Sequence, residues 1–136
     1  MRQLLQKHGF IYDQLPAILW AAIIFVASSI PNLTLPEIEF VATDKAAHAL
    51  IYFVLCALVY RALKFQNRFS NLGRWSILWC VVFSTLFGAS DEFHQSFVPN
   101  RVASVLDLAA DLLGALLFAV VALVRTRARD GGPRAD

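Results

Sequence analysis

The chain has 136 residues, 58% of them apolar and 16% charged, with a formal net charge of +2. This is too apolar a composition for a soluble domain of its size and reads as one small membrane domain. No arginine-rich helix or RNA-type aromatic motif is present, so nucleic acid is not an expected partner.

The first apolar segment, residues 15–30, carries no charge. At helical rise it is about 24 Å long, enough to span once Tyr12 and Asp13 are counted. Arg2 and Lys7 before it and Ala27 to Ser29 at its end outline a secretory leader. The run is long for a leader and three similar runs follow, so it is expected to stay as an uncleaved span. Pro16 is expected near its first turn, where a missing N–H matters little, and Pro31 stops it.

Asn32 to Thr43, with Pro36, Glu37 and Glu39, reads as an acidic loop. Thr43 or Asp44 can then cap a second span, residues 45–63. Arg61, Lys64, Arg68 and Arg74 crowd the connection after it. Trp75 opens a third span, 75–90, closed by Asp91 and Glu92, and a kinked connector containing Pro99 leads to the fourth, 102–124. Residues 1–124 thus form the membrane domain, and 125–136 are expected to be a basic, disordered tail. The expected fold is an all-α, polytopic four-helix bundle. Basic residues at the amino terminus, the 61–74 connection and the tail place both termini in the cytoplasm. Cys56 and Cys80 each lie inside an apolar run and read as small buried side chains, neither half of a disulfide nor a zinc knuckle.

This topology gathers the unusual polar residues. Ser28 and Ser29 end the first span, Asp44 and His48 begin the second, Asp91 to Gln95 end the third, and Asp107 and Asp111 begin the fourth. All four groups fall in one outer third of the membrane, and the inner half is expected to be apolar. Polar residues held in hydrocarbon are costly, which makes them site candidates.

Asp44, His48 and Tyr52 recur every four residues and line one helix face. Their bland reading is a helix start plus one interhelical hydrogen bond, with Lys45 turned toward water or a neighbouring acid. Asp91 and Gln95 share a face of the third span beside Glu92, while His94 lies off it. Ser104 and Asp107 match a capping box, which accounts for Asp107 structurally. Asp111, one turn deeper, caps nothing and needs a partner among Lys45, Arg101 and His48. Gly114 is expected to let another helix approach closely.

Carboxylates with a histidine suit a divalent cation such as magnesium, manganese or zinc. The metal candidates are Asp44, Asp91, Glu92 and Asp111. His48, Asp91, Glu92 and Asp107 are the catalytic candidates, and Lys45, Gln95, Arg101, Tyr52 and Ser28 the substrate-binding ones, Arg101 by a two-pronged contact with phosphate or carboxylate. The parts suit a membrane lipid or lipid-linked cell-wall precursor bearing phosphate. An enzyme built this way would be a metal-assisted hydrolase or transferase. The alternatives are a non-catalytic binding or shielding protein and a proton- or cation-coupled transporter subunit, and oligomers are compatible with each. An apolar inner half argues against the transporter.

Ser-Ser-Ile-Pro at 28–31, Asp-Lys-x-x-His at 44–48 with Tyr52 beyond, Asp-Glu-x-x-Gln-x-Phe-x-Pro-x-Arg at 91–101 and then Asp107 resemble the VanZ-like membrane proteins across all four spans. The resemblance implies a multi-pass protein of a bacterial inner membrane. It also implies a link to glycopeptide resistance, since the family takes its name from a protein associated with lower teicoplanin susceptibility. Family members usually carry asparagine where this chain has Asp111.

Overall fold

The computed structural model of the chain describes residues 2–31, 41–66 and 69–130. Every regular element in them is a helix: α1 (Arg2–Ser28), α2 (Val41–Phe65), α3 (Ser70–Arg74), α4 (Ser76–Gln95) and α5 (Val105–Asp130). All but α3 are long and apolar enough to cross a membrane, so the chain is the multi-pass, all-helical protein its composition predicts. Large apolar side chains such as Ile18, Leu19 and Ile23 on α1 and Leu117 and Val120 on α5 are exposed on the bundle exterior, where acyl chains take the place of water. An even number of crossings brings the start of α1 and the end of α5 to the same side.

Four boundaries differ from the sequence reading. Helix α1 begins at Arg2, so Pro16 lies in its interior instead of its first turn. The leucines, glutamines and lysine ahead of it are good helix formers, and a membrane helix tolerates the one backbone hydrogen bond that Pro16 gives up. Helix α2 begins at Val41, which puts Thr43 and Asp44 inside its first turn, where Asp44 complements the helix dipole. The acidic loop around Pro36, Glu37 and Glu39 lies outside the described residues. The connection before Trp75, read from sequence only as a basic stretch, contains the short helix α3.

The fourth difference is the tail. Arg125, Arg127 and Arg129 were expected to be disordered, but α5 runs on to Asp130. Nothing in Arg125–Asp130 breaks a helix, and Arg127 and Arg129 in the last turn oppose the negative end of its dipole. The remaining tail, 131–136, is outside the described residues.

Helix α2 packs against each of the other elements. It runs antiparallel to α1, with Gln14 Nε2 donating to the Ala62 carbonyl and Trp20 Nε1 to that of Ile51. It runs parallel to α5, and there Gly114 decides the spacing: a side chain at this position would collide with the backbone of Ala49. Antiparallel packing of α2 on α4 brings the sulfurs of Cys56 and Cys80 to 3.2 Å, both thiols free and fully buried. The half of the bundle expected to be apolar is less so than predicted. Ser76 and Ser84 are buried in α4, and Asp13 pairs with Arg61 at 3.6 Å. These residues are short or paired, which is why hydropathy alone passed over them.

Candidate functional site

The other end of the bundle carries three polar layers, each set by backbone geometry. Nearest α1, Asp91 is buried and accepts from Ser28 Oγ at 2.6 Å and from Gln95 Nε2 at 3.0 Å. The four-residue step from Asp91 to Gln95 stacks them one turn apart. Helix α4 continues to Gln95, so this pair belongs to its final turn and not to a loop. His94, off that face, lies at the periphery with Nε2 3.0 Å from Ser29 Oγ and its ring 4.6 Å from that of Phe25.

The middle layer draws on three helices. His48 Nδ1 is 3.0 Å from Asp111 Oδ1, which gives Asp111 the partner its depth required, and Glu92 lies beside them. Asp111 and Glu92 are 2% and 7% exposed. Ligand atoms from His48, Glu92 and Asp111 all lie within 4.8 Å of one another. A magnesium-like ion holds opposite ligands roughly 4.2 Å apart and adjacent ones roughly 3 Å apart, so the three side chains would draw closer together on binding one cation. Gly88 on α4 makes the room: a Cβ there would be 3.1 Å from Asp111 Oδ2 and 3.1 Å from Tyr52 Cε1. Tyr52 is 2% exposed, and its hydroxyl has no hydrogen-bond partner among the described residues.

The third layer is the rim. Lys45 Nζ donates to Asp44 Oδ2 at 2.9 Å and bonds Asp107 as well. Asp44, His48 and Asp107 also converge tightly enough to hold a metal, but the lysine already supplies their positive charge. The deeper trio has no lysine or arginine partner among the described residues, which makes it the better cation site. Asp44 therefore belongs with Lys45, and Asp91 with Ser28 and Gln95, while Glu92 and Asp111 meet His48.

The capping box at the start of α5 forms by halves. Asp107 N–H reaches Ser104 Oγ at 3.4 Å, as the pattern predicts. The reciprocal contact to the Ser104 N–H comes from Glu92 Oε2 at 2.9 Å, which leaves the Asp107 carboxylate for Lys45. Arg101 turns back onto α1, where Nη2 donates to the Ala27 carbonyl at 3.0 Å and Nε lies 3.4 Å from that of Ile30. Pro99 and Asn100, the latter at a φ of 61°, sit at the second and third positions of the turn that aims it, closed by Arg101 N–H on the Val98 carbonyl at 3.1 Å. Much of the guanidinium expected to clamp a headgroup thus caps a helix end. Gly88 was missed; a glycine inside an apolar helix, one turn before two acids, was the signal for it.

A family model described as VanZ/LLP1 matches residues 9–126 of the chain. The chain is also 32% identical over 82 residues to a Schizosaccharomyces pombe protein named "Uncharacterized protein C11E3.10"; the match covers 60% of this chain and 48% of that protein. The chain therefore spans about half the length of the curated relative it matches. No solved structure matches it.

Proposed function

The chain belongs to the VanZ/LLP1 family, and from that premise we propose that its acidic end is a headgroup site. A divalent cation held by His48, Glu92 and Asp111 draws in the phosphate of a membrane amphiphile. The observation that carries this reading is the convergence of those three side chains within 4.8 Å, the two carboxylates buried, without a lysine or arginine partner among the described residues, and close to the buried Tyr52, whose hydroxyl has no hydrogen-bond partner among them. Hard oxygen donors and one imidazole suit magnesium, manganese or zinc. The half-buried Arg101 gives the incoming phosphate further positive charge, while Lys45 at the rim is held by Asp44 and Asp107.

In this reading the site faces the outer leaflet, because Arg61, Lys64 and the arginines of α5 crowd the opposite end and basic ends stay cytoplasmic. In a bacterial cytoplasmic membrane the amphiphile would be a phosphate-bearing lipid or lipid-linked cell-wall precursor, and shielding it is the route to a teicoplanin phenotype. A fungal relative favours framing the ligand on the phosphate rather than on any one cell-wall precursor.

Binding is the reading put to the test; turnover would need a nucleophile, either Ser28, whose hydroxyl donates to Asp91 at 2.6 Å, or a cation-bound water. The test uses the purified full chain in nanodiscs, with manganese followed by electron paramagnetic resonance and a polyprenyl phosphate as lipid. One manganese should bind, and His48→Gln, Glu92→Gln and Asp111→Asn should each weaken it at least about tenfold. Polyprenyl phosphate should bind more tightly with the metal present. Metal binding untouched by all three variants, or lipid binding indifferent to metal, would overturn the reading, and phosphate release would convert it from a binding protein into a hydrolase.

A further inference from the structure

The basic end of the bundle holds a second feature, independent of the acidic site. Between α2 and α5 opens a cleft of about 580 Å³. Its floor carries apolar side chains, Phe118 and Ala122 from α5 with Ala57 and Tyr60 from α2, the rings of Phe118 and Tyr60 5.5 Å apart. Its rim is basic: Lys64 from α2 faces Arg125 and Arg129 from α5, which are one turn apart. Among the described residues, no acidic side chain lines it. None of the three basic groups forms an ion pair among the described residues, where Arg61 takes Asp13 and Lys45 takes Asp44 and Asp107. Lys64 Nζ donates to the Tyr60 hydroxyl at 2.8 Å and sits 5.2 Å from the ring centre.

We propose that this cleft binds the headgroup of an anionic phospholipid, its phosphate between Lys64, Arg125 and Arg129 and the start of an acyl chain on the Phe118 floor. Basic pockets between membrane helices recognise such headgroups, and each lysine or arginine near the surface strengthens the attraction. A free phosphate would use the rim and leave the apolar floor bare, whereas a lipid fills both. The floor also runs into the lipid-facing side of α5, where Leu117, Val120 and Val124 are exposed, so a chain leaving the cleft enters hydrocarbon.

The competing explanation is that these cations only complement the carboxyl ends of α2 and α5. It accounts for the charge but not for the concave, apolar-floored gap. Arg127 separates the two readings: it occupies the same last turn of α5 as Arg129 and does not line the cleft.

The test is native mass spectrometry of the full chain released from detergent with equimolar phosphatidylglycerol and phosphatidylcholine. The wild type should retain phosphatidylglycerol at least about tenfold over phosphatidylcholine, since each basic group near an anionic surface contributes roughly fivefold. Lys64→Gln/Arg125→Gln/Arg129→Gln should bring that ratio close to one, and Arg127→Gln should leave it unchanged. The substituted side chains lie at the surface; should the triple variant not fold by circular dichroism, Lys64→Gln alone should reduce the ratio severalfold. A parallel thermal shift compares phosphatidylglycerol with inorganic phosphate, and only the lipid should stabilise the protein. An equal loss in Arg127→Gln, no preference in the wild type, or equal protection by inorganic phosphate would overturn the proposal.

Discussion

Gly114→Ala tests the element on which both the fold and the acidic site depend. A Cβ at this position would lie 2.8 Å from the carbonyl carbon of Ala49 and 3.0 Å from its Cα, with the carbonyl oxygen nearer still. Carbon pairs settle at about 3.5–4.0 Å, so α2 and α5 must part by at least roughly 0.7 Å. Every atom in the way belongs to backbone, so no rotamer change relieves the collision. His48 directly precedes Ala49, and Asp111 stands almost one turn before Gly114. Their contact, 3.0 Å in the wild type, would stretch to roughly 3.7 Å, outside hydrogen-bonding range. Overpacking of this kind costs about 1–3 kcal/mol, and a buried polar pair pulled apart adds about as much again.

The assay is equilibrium unfolding in mixed micelles with increasing denaturing detergent, read by tryptophan fluorescence, alongside manganese binding on the same preparations. Gly114→Ala should lose roughly 2–6 kcal/mol by that sum and most of its manganese binding. Gly88→Ala is the internal comparison. Its Cβ meets side-chain atoms only, Asp111 Oδ2 and Tyr52 Cε1 at 3.1 Å each, which can yield by a few tenths of an ångström. It should cost less than about 1 kcal/mol. Adding Ala49→Gly to Gly114→Ala should rescue nothing, because the obstructing atoms remain. Wild-type stability in Gly114→Ala, rescue by Ala49→Gly, or a larger loss in Gly88→Ala would refute the close-approach argument.

Three further outcomes are expected. Tyr52→Phe removes a buried hydroxyl that has no partner among the described residues, so the metal-free protein should unfold at the same temperature or higher; in the presence of manganese the variant should gain less stabilisation than the wild type. Ser28→Ala takes one of two hydrogen-bond donors from the buried Asp91 and should lower stability by about 1–3 kcal/mol in the same unfolding assay, an effect absent from Ser96→Ala, whose hydroxyl is exposed and bonds only the Phe93 carbonyl. Lys45→Gln strips the rim acids of their cation, so Asp44 and Asp107 compete with Glu92 and Asp111 for the one His48 imidazole; manganese should still bind once, with an altered paramagnetic resonance spectrum.

The four crossings were legible because hydropathy and length decide them and little else competes. The clustering of polar residues at one end was legible for the same reason, since helices of similar length return the same depth to each other. What the sequence did not disclose is the division of labour inside that cluster. Asp107 read as half of a capping box, yet Glu92 takes the Ser104 N–H and releases Asp107 to Lys45. Arg101 read as a headgroup clamp and spends donors on the Ala27 and Ile30 carbonyls. Such exchanges depend on which partner from another helix reaches a group first, and spacing along one helix carries no information on that.

The same logic explains how one small bundle keeps two unlike ends. Acids at the amino ends of α2 and α5 and basic groups at their carboxyl ends both follow the helix dipole, and parallel packing of α2 on α5 doubles each effect at its own end. The dipole accounts for residues in the terminal turns: Asp44, Asp107, Lys64 and Arg129. It does not account for Asp111, Glu92 and His48, which lie deeper and are drawn from three helices, so a separate cause is required for burying two carboxylates around one imidazole. In the proposed reading a bound cation supplies that cause, and the lysine at the rim is placed where it pairs with the outer acids.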